Sequence, residues 1–301
     1  MGKFFKGIMV PVMTPFKENG EIDCDAFRKH VEFLIESGVD SLLVPSGTGE
    51  FANLTWEEKG LLTKLASEIS NGRIPVVALV SDCSTRNVLK LAEIAEKAGA
   101  NQLMLTPPYY SYVDQRALIE MYTYVADHVN LPLWIYHQPG ETKIVIEPDT
   151  VVELSKHPNI CGIKIAAGEN FLYFAEVARL FRDNKEFSLL MGEDFETLPS
   201  YVMGGDGSVS SLANVTPKAF VDLFKAYQNN DLNEAERLQR FIMDCFESFV
   251  MVSTGCYQSA CKTILREMGF YSTNKVSSPF VTILEDEEES VIRKANSLGI
   301  I

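Results

Sequence analysis

Along the first three quarters of the chain, short apolar runs alternate with longer stretches that carry one apolar face. Gly7 to Phe16 is an apolar run holding Pro11, which inside a sheet would remove a ladder donor, so it reads as a strand with a bulge or an irregular end. From Asp25 to Gly38, Phe27, Val31, Leu34 and Ile35 fall at i, i+4, i+7 and i+8, one face of a helix that Gly38 ends. Ser41 to Ser46 is the second strand, and Thr55-Trp56-Glu57-Glu58 has capping-box spacing for a helix running to Ser70. The alternation predicts further strands at Val76–Ser81, Gln102–Pro107, Leu133–Tyr136, Gly162–Ala166, Phe187–Met191 and Ser208–Leu212. Helices are predicted between and after them at Thr85–Ala98, Arg116–Val129, Pro148–Lys156, Phe171–Phe181, Glu196–Met203 and Pro217–Gln228.

A weak repeat supports this count. Three helices end alike before a strand, at Gly38-Val39-Asp40, Gly99-Ala100-Asn101 and Gly204-Gly205-Asp206, which is the chemistry of a helix-to-strand loop. Eight strand-then-helix units over residues 1–228 predict an α/β fold, a (β/α)8 TIM barrel, rather than an open doubly wound sheet. No G-x-G-x-x-G follows a strand and no P-loop is present. Residues 229–301 change to helix after helix, at Glu234–Val252, Gln258–Met268 and Glu285–Leu298, a C-terminal helical extension packed on the barrel or on a partner subunit. The run Glu285-Asp286-Glu287-Glu288-Glu289 suits a solvated helix start.

Composition narrows the class of partner. A net charge of −14 argues against nucleic acid and anionic membranes, both of which need a basic face. No apolar run is long enough for a membrane span, and Met1-Gly2-Lys3-Phe4-Phe5-Lys6 leads into a strand without a cleavable leader pattern, so the expected location is cytoplasmic. The six cysteines (Cys24, Cys83, Cys161, Cys245, Cys256 and Cys261) lack a C-x-x-C pair, and they read as reduced structural thiols.

Candidate chemistry centres on Cys161-Gly162-Ile163-Lys164-Ile165-Ala166-Ala167-Gly168, an apolar run with one lysine in its middle. Desolvation without a facing carboxylate lowers a lysine's pKa and makes it a nucleophile, the condition for Schiff-base chemistry on a carbonyl. The competing reading of this run alone is a lysine at a strand end that snorkels to water. In a barrel, function gathers at the C-terminal strand ends. After the second strand, Pro45-Ser46-Gly47-Thr48-Gly49-Glu50-Phe51 can form an N–H nest for a carboxylate, or an ordinary glycine-rich turn. The fifth strand ends in Tyr136 and His137, and a tyrosine one strand from a lysine can trade protons with it. Thr106-Pro107-Pro108-Tyr109-Tyr110-Ser111-Tyr112, Gly192-Glu193-Asp194, and Ser208, Ser210 and Ser211 follow other strands. The four histidines show no metal-ligand spacing, so no metal is expected.

Ser46-Gly47-Thr48-Gly49-Glu50, Thr106-Pro107-Pro108-Tyr109-Tyr110, Tyr136-His137-Gln138-Pro139-Gly140 and Gly162-Ile163-Lys164, in that order and spacing, resemble the dihydrodipicolinate synthase / N-acetylneuraminate lyase family. The likeness runs from Gly7-Ile8-Met9-Val10-Pro11 through Ser210-Ser211-Leu212-Ala213-Asn214 to the C-terminal helices. It implies a homotetramer built as a dimer of dimers and a cofactor-free class I mechanism, in which Lys164 forms a Schiff base with the C2 carbonyl of pyruvate or a longer 2-oxo acid. Tyr136 would relay protons. Thr48 and the N–H groups of Gly47 and Thr48 would hold the carboxylate, with the Val209 carbonyl nearby. Tyr109 or Tyr110 would complete a hydroxyl relay. Candidate substrate contacts are therefore Ser46, Gly47, Thr48, His137, Gly192, Glu193, Val209 and Ser211.

Two residues depart from the members that make dihydrodipicolinate. Gly47 stands where they resemble threonine, and Glu141 stands where they carry the arginine that binds the aldehyde's carboxylate. The expectation is a Schiff-base-forming lyase, an aldolase or dehydratase acting on pyruvate or a 2-oxo-3-deoxy sugar acid. The alternatives are 4-hydroxy-tetrahydrodipicolinate synthase and a 2-oxo acid sensor without turnover.

Overall fold

The structure, a computed structural model, describes residues 3–168, 170–253 and 256–301; Met1 and Gly2, which open the stretch read for a leader, lie outside it. Eight parallel strands close in chain order into a barrel: β1 (Gly7–Pro11), β2 (Ser41–Leu43), β3 (Val76–Leu79), β4 (Gln102–Leu105), β5 (Leu133–His137), β6 (Ile160–Ile165), β7 (Ser188–Met191) and β8 (Gly207–Val209). Closure is made by β1 on β8, with Gly7, Ile8 and Met9 opposite Gly207, Ser208 and Val209. Helices α1 (Cys24–Glu36), α2 (Trp56–Ser70), α3 (Thr85–Lys97), α4 (Gln115–His128), α5 (Pro139–Thr142), α6 (Pro148–Leu154), α7 (Phe171–Leu180), α8 (Thr197–Val202) and α9 (Pro217–Gln228) surround it. The extension is α10 (Leu232–Phe249), α11 (Tyr257–Glu267) and α12 (Glu285–Ser297).

Local signals account for the helix ends. Asp23, Asp114 and Asp231 each accept a backbone N–H of the first turn, and Thr55 with Glu58 forms the expected capping box. Gly38, Gly99 and Gly204 all adopt positive φ, at 85°, 92° and 104°, as the repeated loop pattern requires.

Met9, Leu43, Val77, Met104, Trp134, Tyr136, Leu190 and Val209 fill the barrel's interior, and the Trp134 indole is satisfied by Gln102 Oε1 at 2.7 Å. The extension joins the outer core rather than standing apart. Ile242, Cys245, Phe249, Cys261 and Ile264 pack in one cluster with Ile8, Val10, Phe27 and Leu34. Fully buried Lys262 of α11 meets Glu50 at 2.5 Å, and Glu50 also accepts the Ser277 N–H at 2.6 Å.

Some boundaries move from those read in the sequence. The first run is regular only to Pro11, which ends β1, and Phe16 pairs instead with Ile22 in an isolated bridge. β2 stops at Leu43 because the chain folds back on itself: Ser46 Oγ donates to the Val12 carbonyl and accepts the Gly49 N–H at 2.8 Å. β8 ends at Val209 rather than Leu212, since Leu212–Asn214 curls into a 3-10 turn held by Asn214, whose Nδ2 donates to Pro11 O at 3.0 Å. The one-turn helix α5 was not foreseen; Pro139 at its start supplies a helical φ without needing a donor.

Candidate active site

Lys164 and Tyr136 are direct partners in the β5–β6 register, and both side chains point into the barrel. Lys164 is 5% exposed, and its Nζ lies 3.9 Å from the Tyr136 ring centre. The ring face favours the ammonium, as do the charges of Glu193 and Asp194, but burial outweighs them and lowers the amine's pKa to about 8. The lysine's stem has room only because residue 192 is glycine: a Cβ there would sit 2.9 Å from Lys164 Cε and 2.7 Å from Ala166 Cβ. Gly192 is thus a cradle for the nucleophile. Two other buried lysines lack this setting. Lys262 is neutralised by Glu50, and Lys59 lies on the outer helix α2 with its amine 5.4 Å from the Phe51 ring centre.

The Tyr136 hydroxyl makes no hydrogen bond to a described residue and faces a cavity of about 320 Å³ at the C-terminal mouth of the barrel. Buried Tyr122 and Tyr173, by contrast, donate to backbone carbonyls at 2.8 and 2.6 Å. The Tyr136 phenol is pushed well above its ordinary value, first by burial and then by Tyr257, Glu193 and Glu141.

The turn after β2 supplies the cavity's other wall. The N–H groups of Gly49, Glu50 and Phe51 are spent inside the turn, whereas those of Gly47 and Thr48 donate to no described residue. Two free neighbouring donors are what a carboxylate requires. Thr48 Oγ1 lies 2.9 Å from Ser211 Oγ, which places the turn beside the end of β8. Val209, the last residue of β8, belongs to the same interior cluster as Tyr136. Ser46 differs from the other candidates, because its hydroxyl is wholly occupied in closing the turn.

The structure does not bring His137 to the cavity. Adjacent residues of a strand face opposite sides, so with Tyr136 inward His137 points at the helix layer, where it stacks on Tyr173 at 4.1 Å and 8°. Burial holds it neutral, at about 4. Of the two loop tyrosines, Tyr109 lines the cavity, and burial followed by Cys83 raises it to about 12. Tyr110 is 90% exposed and reaches none of it. Glu193 accepts the Gly168 N–H at 3.0 Å beside Lys164. Asp194 lies deeper: Leu212 N–H donates to its Oδ2 at 3.3 Å, Oδ1 has no hydrogen-bond partner among the described residues, and burial above all raises the group to about 7.

Sequence reasoning missed the extension's share. Tyr257, Gln258 and Phe280 line the cavity, and Tyr257 Oη sits 3.1 Å from Thr48 Oγ1 across 209 positions of sequence. No periodicity announces such a contact. Asn53, Thr106, Gln138, Glu141 and Thr142 also line the cavity, with Glu50, Phe51 and Ala52 from the end of the β2 turn, and none of the described lining residues is Lys or Arg.

A carbonyl compound with an adjacent carboxylate would fit this arrangement, with the carboxylate on the Gly47–Thr48 donors and the carbonyl within reach of the Lys164 stem. The model of the dihydrodipicolinate synthetase family matches residues 4–297. The 4-hydroxy-tetrahydrodipicolinate synthase of Macrococcus caseolyticus is 34% identical, covering 99% of this chain and 98% of its own. Among solved structures, dihydrodipicolinate synthase from Bacteroides thetaiotaomicron superposes with a TM-score of 0.93 at 30% identity, covering 99% of this chain and all of its own. YagE, a prophage protein of Escherichia coli K12 solved in complex with pyruvate, gives 0.92 at 25% identity over 99% of this chain and 100% of its own. The chain therefore belongs to the dihydrodipicolinate synthetase family and is a lyase of the aldolase type.

Proposed function

We propose that Lys164 forms a Schiff base with the C2 carbonyl of pyruvate or of a 2-oxo-3-deoxy sugar acid, and that the enzyme makes or breaks the bond beyond C3. The observation that carries this reading is the amine itself, held at about 8 by burial and seated against the ring of Tyr136, a residue that lines the cavity. Its four-carbon stem lets the nitrogen swing off the ring toward a bound carbonyl. The neutral amine bonds to C2. The carbonyl oxygen leaves as water with one hydrogen from the amine and one from the Tyr136 hydroxyl, and nitrogen keeps the other as an iminium. The Tyr136 phenolate takes the proton of the C4 hydroxyl, so that C4 leaves as an aldehyde, and the electron pair of the broken C3–C4 bond enters the C2–C3 enamine and neutralises that nitrogen. Tyr136 then returns a proton to C3. Thr48, with the free N–H groups of Gly47 and Thr48, anchors the C1 carboxylate.

The second substrate follows from charge. Glu141 faces the cavity and no cationic side chain among the described residues lines it, so an aldehyde carrying its own carboxylate would meet repulsion instead of an anchor. Gln138, Gln258, Asn53 and Tyr109 instead suit a neutral, hydroxylated tail. A competing reading, 4-hydroxy-tetrahydrodipicolinate synthase, is favoured by the names of the relatives. A panel of 2-oxo-3-deoxy sugar acids, scored for pyruvate release or loss of water, and pyruvate condensation with aspartate semialdehyde separate the two. Turnover of a sugar acid supports the first. Turnover only with the semialdehyde supports the second, and binding without turnover of any compound makes the protein a sensor.

We further infer a homotetramer acting in a reducing, cytoplasmic compartment. Exposed Tyr110 and Tyr112 on the loop after β4 suit a self-association face, and all six cysteines are free thiols.

A further inference from the structure

The phenol that must move protons, Tyr136, has an open flank. A Cβ at position 47 would lie 3.8 Å from Tyr136 Oη, so a hydroxylated side chain there would contact it directly, and the chain has glycine. Something else has to carry a proton to and from that phenol. Tyr257 lines the same cavity as Gly47 and Tyr136, entering from the extension, and its partner is another hydroxyl. Tyr122, Tyr173 and Tyr227 donate to carbonyls, which fixes the hydroxyl hydrogen in one direction. Tyr257 meets another hydroxyl, Thr48 Oγ1 at 3.1 Å, and Thr48 meets Ser211 Oγ at 2.9 Å. In each of these contacts either oxygen can donate, so the run of hydrogen bonds can reverse. The helix that carries Tyr257 is anchored to the turn by the buried Glu50–Lys262 pair, which keeps this phenol over Thr48.

We propose that Tyr257 is the relay hydroxyl for Tyr136, supplied by the C-terminal extension in place of the side chain missing at position 47, and passing protons onward through Thr48 and Ser211. Each hydroxyl accepts one proton and donates another, so no charge accumulates on the chain and no co-reactant is needed. The role rests on the Schiff-base reading above. The phenol also acts on Tyr136 electrostatically, ahead of Glu193 and Glu141.

Pyruvate alone tests it. In deuterated water the enzyme should exchange the C3 hydrogens of pyruvate through the enamine, and borohydride should fix pyruvate on Lys164; exchange draws on the relay at every turn, whereas the end-point of trapping does not depend on how fast Tyr136 is reprotonated. Tyr257→Phe should slow exchange by about tenfold or more while the extent of borohydride adduct stays at the parent level. Gly47→Ser in the Tyr257→Phe background should recover several-fold of the lost rate, because the new hydroxyl points at Tyr136 Oη. Unchanged exchange in Tyr257→Phe overturns the proposal. Exchange and adduct falling together would assign Tyr257 to holding the anion turn, and a folded double variant without recovery would also count against the relay. Absence of any adduct in the parent enzyme is a different result, and removes the Schiff-base reading itself.

Discussion

Lys164 Nζ lies 3.9 Å from the centre of the Tyr136 ring, the two residues facing each other across β5 and β6. The contact is of amine with ring face rather than with hydroxyl. In this state the ring shelters the nucleophile, and the phenol oxygen is left free toward the cavity. Burial of the amine dominates the local electrostatics.

The pH dependence of adduct formation should report the lysine directly. With its pKa lowered to about 8, the amine is protonated and unreactive below that value and neutral above it. The initial rate of borohydride-trapped adduct formation with saturating pyruvate should climb through neutrality and level off above pH about 8. A rate still climbing steeply toward the ordinary lysine value near 10.5 would mean that the nitrogen is solvated.

The same burial makes Lys164 costly to the fold. Its folded pKa is below the unfolded one, so between about 8 and 10.5 the unfolded chain binds more protons, and below about 8 the full penalty applies. Lys164→Met should therefore be more stable than the parent at neutral pH, by up to about 3 kcal/mol, and the gain should shrink as pH rises through that window. Urea unfolding at neutral and at strongly alkaline pH checks both halves. A destabilised variant at neutral pH would refute the assignment.

Glu50 and Lys262 should behave as one unit. Lys262→Met leaves a carboxylate buried without a counter-charge and should cost about 3–5 kcal/mol in urea unfolding, whereas adding Glu50→Gln should recover much of that loss. Independent, additive losses would mean that the pair contributes nothing as a pair. Because the pair joins the β2 turn to α11, Lys262→Met should also lower adduct formation beyond what the unfolded fraction explains.

Charge at the mouth should control the second substrate. Glu141→Arg puts a cation on α5 facing the cavity, and KM for aspartate semialdehyde should fall by at least about tenfold, with turnover of neutral sugar acids no better than before. Equal KM values in parent and variant would show that residue 141 does not touch that end of the substrate.

Much of this molecule is visible in its sequence for identifiable reasons. The glycines ending three helices mark the loop before each strand, and all three adopt the positive φ that the pattern demands. Lys164 stands out because a lysine inside an apolar strand is costly to desolvate and needs an explanation, and the motifs at the other strand ends favour a nucleophile over a snorkelling side chain. The parity of β5 also decides His137, since it and Tyr136 cannot both face inward, yet the residue's chemistry had made it a candidate. Ser46 was named for its position in a glycine-rich turn, and only the distances to Val12 and Gly49 reveal that its hydroxyl is spent there. Tyr257 lay beyond sequence reading altogether. Its partner is Thr48, 209 positions away, and helical periodicity reports which face of α11 is buried but not that its first residue enters a barrel on the far side of the chain.

The most direct test of the account is the site of covalent attachment. The enzyme is incubated with saturating pyruvate, reduced with borohydride and digested, and the modified peptide is located by mass spectrometry. A three-carbon adduct on the peptide containing Lys164, absent from Lys164→Met, is the predicted result. An unmodified Lys164, or an adduct on Lys59 or Lys262 instead, would contradict it.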